Sequence, residues 1–112
     1  MRNGYRGLSQ PLKGVVKLTT APIKWAIRHH RSDWLAGLFG VESVVVHELA
    51  DGSVVVELVF HPSRPLLGKH HTLKFRISRE AITQNGLFPS LLALAAHIRD
   101  VQRAYEQRKG VK

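Results

Sequence analysis

The sequence predicts an α+β fold in which helices pack on a small, three-stranded antiparallel sheet. Three observations carry that reading. Two valine-rich runs flank Asp51-Gly52. A further run, His71–Ser78, alternates apolar and polar residues. On either side of these, apolar residues recur at three-and-four spacing, the period of a helix.

Residues 1–18 read as a basic, flexible arm, and residues 19–112 as a single domain. Gly4, Gly7, Pro11 and Gly14 interrupt any periodic pattern in the arm. Leu12, Val15, Val16 and Leu18 are placed to pin its second half to the body as a short edge strand. Thr19-Thr20-Ala21-Pro22 then offers a helix start, since threonine caps and proline tolerates the first turn. The expected helix runs to Phe39, where Gly40 stops it. Its buried stripe is Ile23, Ala26, Ile27, His30, Trp34 and Leu38, and Lys24, Arg28 and Arg31 share another face. Trp25 lies off the stripe and is expected to pack under a loop.

The hairpin Val44–Phe60 follows. Valine is stiff at its first torsion and suits a pleated surface. Asp-Gly tolerates the positive φ of a two-residue turn. That turn pairs Leu49 with Val54, His47 with Val56, Val45 with Leu58 and Ser43 with Phe60, which makes Val45, His47, Leu49, Val54, Val56, Leu58 and Phe60 the core face. A three-residue loop slips the register by one and exchanges the faces of one strand. In either register the outer face is too apolar to be left wet, so Val44, Val46, Val55 and Val59 are expected at a partner interface.

His61–Pro65 breaks the strand and a loop continues to Lys69. In the third strand Leu73, Phe75 and Ile77 point inward, and Thr72, Lys74 and Arg76 form a wet basic face. Ser78 caps a short helix, Arg79–Gln84, which Asn85-Gly86 ends. Pro89-Ser90 opens the last helix, running to Gln107, with Leu91, Leu94, Ala95, Ile98, Val101 and Tyr105 as its stripe. The order of helix, three strands and helix also occurs in double-stranded-RNA-binding domains. Those start their last helix with a lysine cluster, and Pro89-Ser90-Leu91-Leu92 has none, so the order assigns no family.

Charge is the strongest functional signal. The net charge is +9, and residues 1–32 hold seven Lys and Arg without one acid. That asymmetry points to an anionic partner. Arg2, Arg6, Lys13 and Lys17 on the arm, Lys24, Arg28 and Arg31 on the first helix, and Lys74 and Arg76 on the third strand are the expected nucleic-acid contacts. They are suited to neutralising phosphates and not to reading base edges, so low sequence specificity follows. The alternative is a structural or assembly subunit of a virus particle or another multi-chain complex, using the arm and the apolar hairpin face, with a protein partner or a second copy bound.

Catalysis is not expected. Cysteine is absent, no serine sits in a Gly-x-Ser-x-Gly setting, and no glycine-rich phosphate loop is present. Seven histidines occur, but their spacing matches no metal-ligand pattern, and neither metal nor cofactor is expected. His47 reads as a satisfied core histidine. No small-molecule substrate is expected, and a membrane surface is the less favoured partner. No apolar run approaches the ~20 residues that span a bilayer. The start MRNGYRGLSQ lacks a signal-peptide core, so the expected location is cytoplasmic or virion-associated.

Overall fold

The computed structural model describes residues 15–18 and 23–110. The fold is α+β: one antiparallel sheet with three helices, the last of them long. The strands are β1 (Val15–Leu18), β2 (Ala26–Arg31), β3 (Ser43–Leu49), β4 (Val54–Val59) and β5 (Thr72–Ile77). The helices are α1 (Asp33–Phe39), α2 (Arg79–Asn85) and α3 (Leu87–Gly110). The sheet runs in the order β1-β5-β4-β3-β2, so the expected three-stranded meander β3–β4–β5 lies in the middle and gains a strand on each flank.

The expected helix from residue 23 to Phe39 is the main correction. Only Asp33–Phe39 is helical, and Ala26–Arg31 forms β2, paired with β3. The three-and-four spacing of Ile23, Ala26, Ile27 and His30 is a coincidence of composition. A register shift between Ala26 and Arg28 inserts an odd residue at Ile27 and hides the alternation of a strand. Pairing with a strongly strand-forming neighbour outweighs the weak local preference of AIRHHR. The true helix start is Ser32, in extended conformation, whose hydroxyl accepts from the Leu35 N–H at 3.3 Å, with Asp33 in the first turn. Gly40 ends α1 at φ 71°, as its left-handed conformation requires. The expected start at Thr19–Pro22 lies outside the described residues.

The hairpin adopts the slipped register. Glu48 pairs with Val54, Val46 with Val56 and Val44 with Leu58. Leu49 N–H donates to the Ser53 carbonyl at 3.0 Å, closing a three-residue loop, Ala50-Asp51-Gly52, with Gly52 at φ 90°. Asp51 stiffens this loop by accepting from Ser53 N–H at 2.9 Å and Ser53 Oγ at 2.6 Å. One face of β3 is therefore exchanged: Val44 and Val46 are in the core, and Val45, His47 and Leu49 share the other face with Val55, Glu57 and Val59. This corrects the placement of Val44 and Val46 at a partner interface, because a one-residue slip turns them under the helices.

The core lies between that face and the helices. Val44, Val46, Val54, Val56, Leu58, Leu73 and Ile77 meet Leu35, Ala36 and Phe39 of α1, Ala81 of α2, and Leu91, Leu94, Ala95 and Ile98 of α3. Leu58 and Ile77 are fully enclosed, and burial of side chains of this size contributes about 1.5–3 kcal/mol each. The short helix keeps its expected Ser78 cap and Gly86 stop. The long helix starts two residues before Pro89, and its first four stripe residues are buried.

Candidate functional site

The open margin of β2 brings Lys24, Arg28 and Arg31 close together in sequence at one edge of the sheet. Trp25 and Ile27 are 72% and 70% exposed, among the exposed Lys24, Arg28, His29, His30 and Arg31. Among the described residues no strand pairs with this margin. Ser32 N–H donates to the Val44 carbonyl at 3.0 Å, so Ser32 faces β3. Strand alternation then turns the peptide groups of His30 toward β3, and those of His29 and Arg31 outward.

Acids near this margin are few and loosely held. Glu48 on β3 lies 3.1 Å from His30 Nε2 and 3.9 Å from Arg28 Nη1. Asp33, nearly all in solvent, lies 3.9 Å from Arg31 Nε. Exposed pairs at such separations contribute about 0–1 kcal/mol and are screened by salt. Both guanidinium groups thus remain accessible to an incoming anion.

The helix-free face of the sheet holds a relay. Glu57 on β4 accepts from His47 Nε2 at 2.9 Å. His47 Nδ1 bonds in turn to His29 Nδ1 on β2, the rings meeting edge-on at 82°. In the tautomer that places a proton on His47 Nε2, toward Glu57, His47 Nδ1 accepts from His29 Nδ1. His29 Nε2 has no hydrogen-bond partner among the described residues. His47 is buried but does not face the hydrophobic core; the slipped register places it here.

Beside the relay, a cavity of about 420 Å³ opens between Ile23 and Trp25 and the sheet residues Leu49, Val55 and Arg76. Asp51 anchors its rim by accepting from Arg76 Nη2 at 2.9 Å. The two Ser53 bonds, aided by the Arg76 charge, hold the Asp51 carboxyl below the usual carboxylate range.

The expected nucleic-acid residues are only partly brought together. Lys24, Arg28 and Arg31 do not share a helical face: Arg28 and Arg31 are on a strand and stand opposite Glu48 and Val45 in its register. Lys74 is buried at 4% exposure, which corrects the wet basic face expected on β5. Its position in the middle of the sheet, directly across from Glu57 and beside β1, is the reason. Arg76 is committed to Asp51. Lys17 stands on β1 opposite Phe75, while Arg2, Arg6 and Lys13 lie outside the described residues. Val55 is buried and Val59 half-buried on the helix-free face.

Among the described residues no group of three or more potential ligands is arranged to hold a metal ion. No described helix is long and apolar enough to cross a membrane. The relay was missed because the two-residue turn puts His47 and Glu57 on opposite faces; only the register reveals it. A second aromatic patch, Trp34 on α1 against Phe88 on α3 at 5.5 Å between ring centres, also depends on tertiary packing. No protein-family model matches the chain, and no curated protein and no solved structure matches it.

Proposed function

We propose that the chain is a small non-enzymatic binding protein that holds single-stranded nucleic acid, with low sequence specificity, along the open margin of β2. The observation that carries this reading is a solvent-facing Trp25 set among Lys24, Arg28, His29, His30 and Arg31. Cations track phosphates, and an indole face stacks any base, contributing about 1–3 kcal/mol. The peptide groups directed outward at His29 and Arg31 add hydrogen bonds without sequence preference. The histidine relay is a positioning device in this reading, because it fixes the His29 ring at the margin.

Fluorescence anisotropy with a labelled single-stranded oligonucleotide, titrated at several salt concentrations, tests the proposal. Three phosphate contacts, from Lys24, Arg28 and Arg31, give a log–log salt slope of about −2, and all seven cations of residues 1–32 give about −5. No binding at low salt ends the proposal.

A second reading, an assembly subunit, is favoured by Trp34, Phe88 and Leu92, which are 59%, 48% and 39% exposed at the start of α1 and α3. Light scattering behind size exclusion tests it: a strict monomer at high concentration removes self-association through this patch.

A further inference from the structure

A second cleft lies on the helical side of the molecule, away from the β2 margin. It encloses about 570 Å³ between the end of α1, the second half of α3 and the loop that follows β4. Its apolar lining is Phe39, Phe60, Leu66 and Ile98, all of which also belong to the core. Its polar lining carries three arginines, Arg64, Arg99 and Arg103, against one acid, Glu106.

The state of those groups decides what the cleft can take. Arg99 Nη2 donates to the Leu38 carbonyl at 3.1 Å, which holds its guanidinium at the end of α1 and leaves its remaining N–H groups for a ligand. Glu106 accepts from Gln102 Nε2 at 2.9 Å, and Gln102 Oε1 accepts from the Leu67 N–H at 2.8 Å. The acid is thus tied to the loop through Gln102 and is bonded to no arginine among the described residues. Arg64 and Arg103 are exposed and make no ion pair or side-chain hydrogen bond among the described residues. Surface arginines often have no partner. Here three of them line one recess, backed by Phe39, Phe60, Leu66 and Ile98, whose size falls within the roughly 300–1,000 Å³ of ligand pockets.

We infer that this cleft binds a small amphiphilic anion, with a carboxylate or phosphate head on Arg64, Arg99 and Arg103 and an apolar body against Phe39, Phe60, Leu66 and Ile98. Guanidinium groups match such heads two bonds at a time. Neither of the chain's tryptophans lines the cleft, which suits its lining to a head-and-tail ligand and not to a stack of bases. The site is independent of nucleic-acid binding at β2, and either can fail without the other.

Decanoate, decyl phosphate and the uncharged decanol, titrated into the whole chain and followed by amide NMR, form the test. Decanoate or decyl phosphate should shift the Gly37, Gly40 and Leu66 amides saturably, and the tighter of the two identifies the head. Decanol should bind at least about tenfold more weakly. The double variant Arg64→Gln, Arg103→Gln should lose about as much affinity for the anion while retaining the wild-type melting temperature. Gly37→Leu is the complementary variant. It lies in helical backbone, a Cβ there meets nothing within 4 Å, and Gly37 itself lines the cleft, so a leucine there should take up room at its mouth. It should keep the fold and abolish binding. Saturable shifts absent for both anions, equal affinity for decanol, or undiminished binding by either folded variant would overturn the inference.

Discussion

The register of the β3–β4 hairpin can be tested with substitutions that change chemistry and almost nothing else. Valine and threonine have nearly the same shape and both suit strands, so Val→Thr replaces a methyl by a hydroxyl without opening a cavity. At Val44 and Val46, which are 0% and 1% exposed in the apolar core, the hydroxyl is stripped of water. That costs about 1–3 kcal/mol by the measure of mutated proteins. At Val45, half-buried on the helix-free face, the change should stay within about 0.5 kcal/mol. For a domain near 100 residues, the two core variants should each lower Tm by roughly 4–15 °C and Val45→Thr by no more than about 3 °C. Urea unfolding followed by circular dichroism gives the free energies. β4 should not show the alternation, because Val54, Val55 and Val56 are all buried. A Val45→Thr variant less stable than Val46→Thr would restore the two-residue turn and refute the register.

Other consequences are open to direct measurement. Trp25→Ala should weaken oligonucleotide binding by about 1–3 kcal/mol at any salt concentration, whereas Arg28→Gln with Arg31→Gln should also flatten the salt slope by about 1.4, as checked by the same anisotropy titration. Asp51 has a folded pKa below its ordinary 3.8, so its stabilising effect is present above that value and is lost as pH falls through the lower, folded one. Wild type and Asp51→Asn should therefore differ in stability at neutral pH, and the difference should shrink as pH falls from about 3.8 through the lower folded value, which urea titrations at several pH values can establish. Gly68 sits at φ 76°, and a Cβ there would lie 2.5 Å from Tyr105 Oη. Gly68→Ala should cost about 1–2 kcal/mol or more for the left-handed backbone alone, and adding Tyr105→Phe should cost less than the sum of the two changes.

Legibility in the sequence followed the range of the interaction. The Asp51-Gly52 turn, the alternation of Leu73, Phe75 and Ile77, the Ser78 cap and the stripe of α3 all depend on neighbours within a few residues. Each is present in the fold. The register depends on whether the turn closes over two residues or three, and Asp-Gly permits both. From that one-residue uncertainty came the misplacing of Val44, Val46 and His47. β2 was hidden for a different reason: its bulge breaks the two-residue period, and Ile23, Ala26, Ile27 and His30 imitate a helix. Ser32-Asp33, a cap followed by a first-turn acid, was the available signal for where the helix begins. The arginines of the helical cleft carry only an Arg99–Arg103 spacing of one turn, which is commonplace on a solvated face.

The strand order has a kinetic consequence. β1 and β2 are successive in the chain yet occupy opposite ends of the sheet, each attached to a strand that comes later in sequence. β2 needs only β3, the next strand in the chain, whereas β1 cannot add to the sheet before β5 exists to receive it. As the chain emerges from a ribosome, β1 must wait for β5, the last strand to be synthesised. Refolding should accordingly nucleate at the Ala50–Gly52 loop, with transition-state structure concentrated in β3 and β4 and β1 zipping on last.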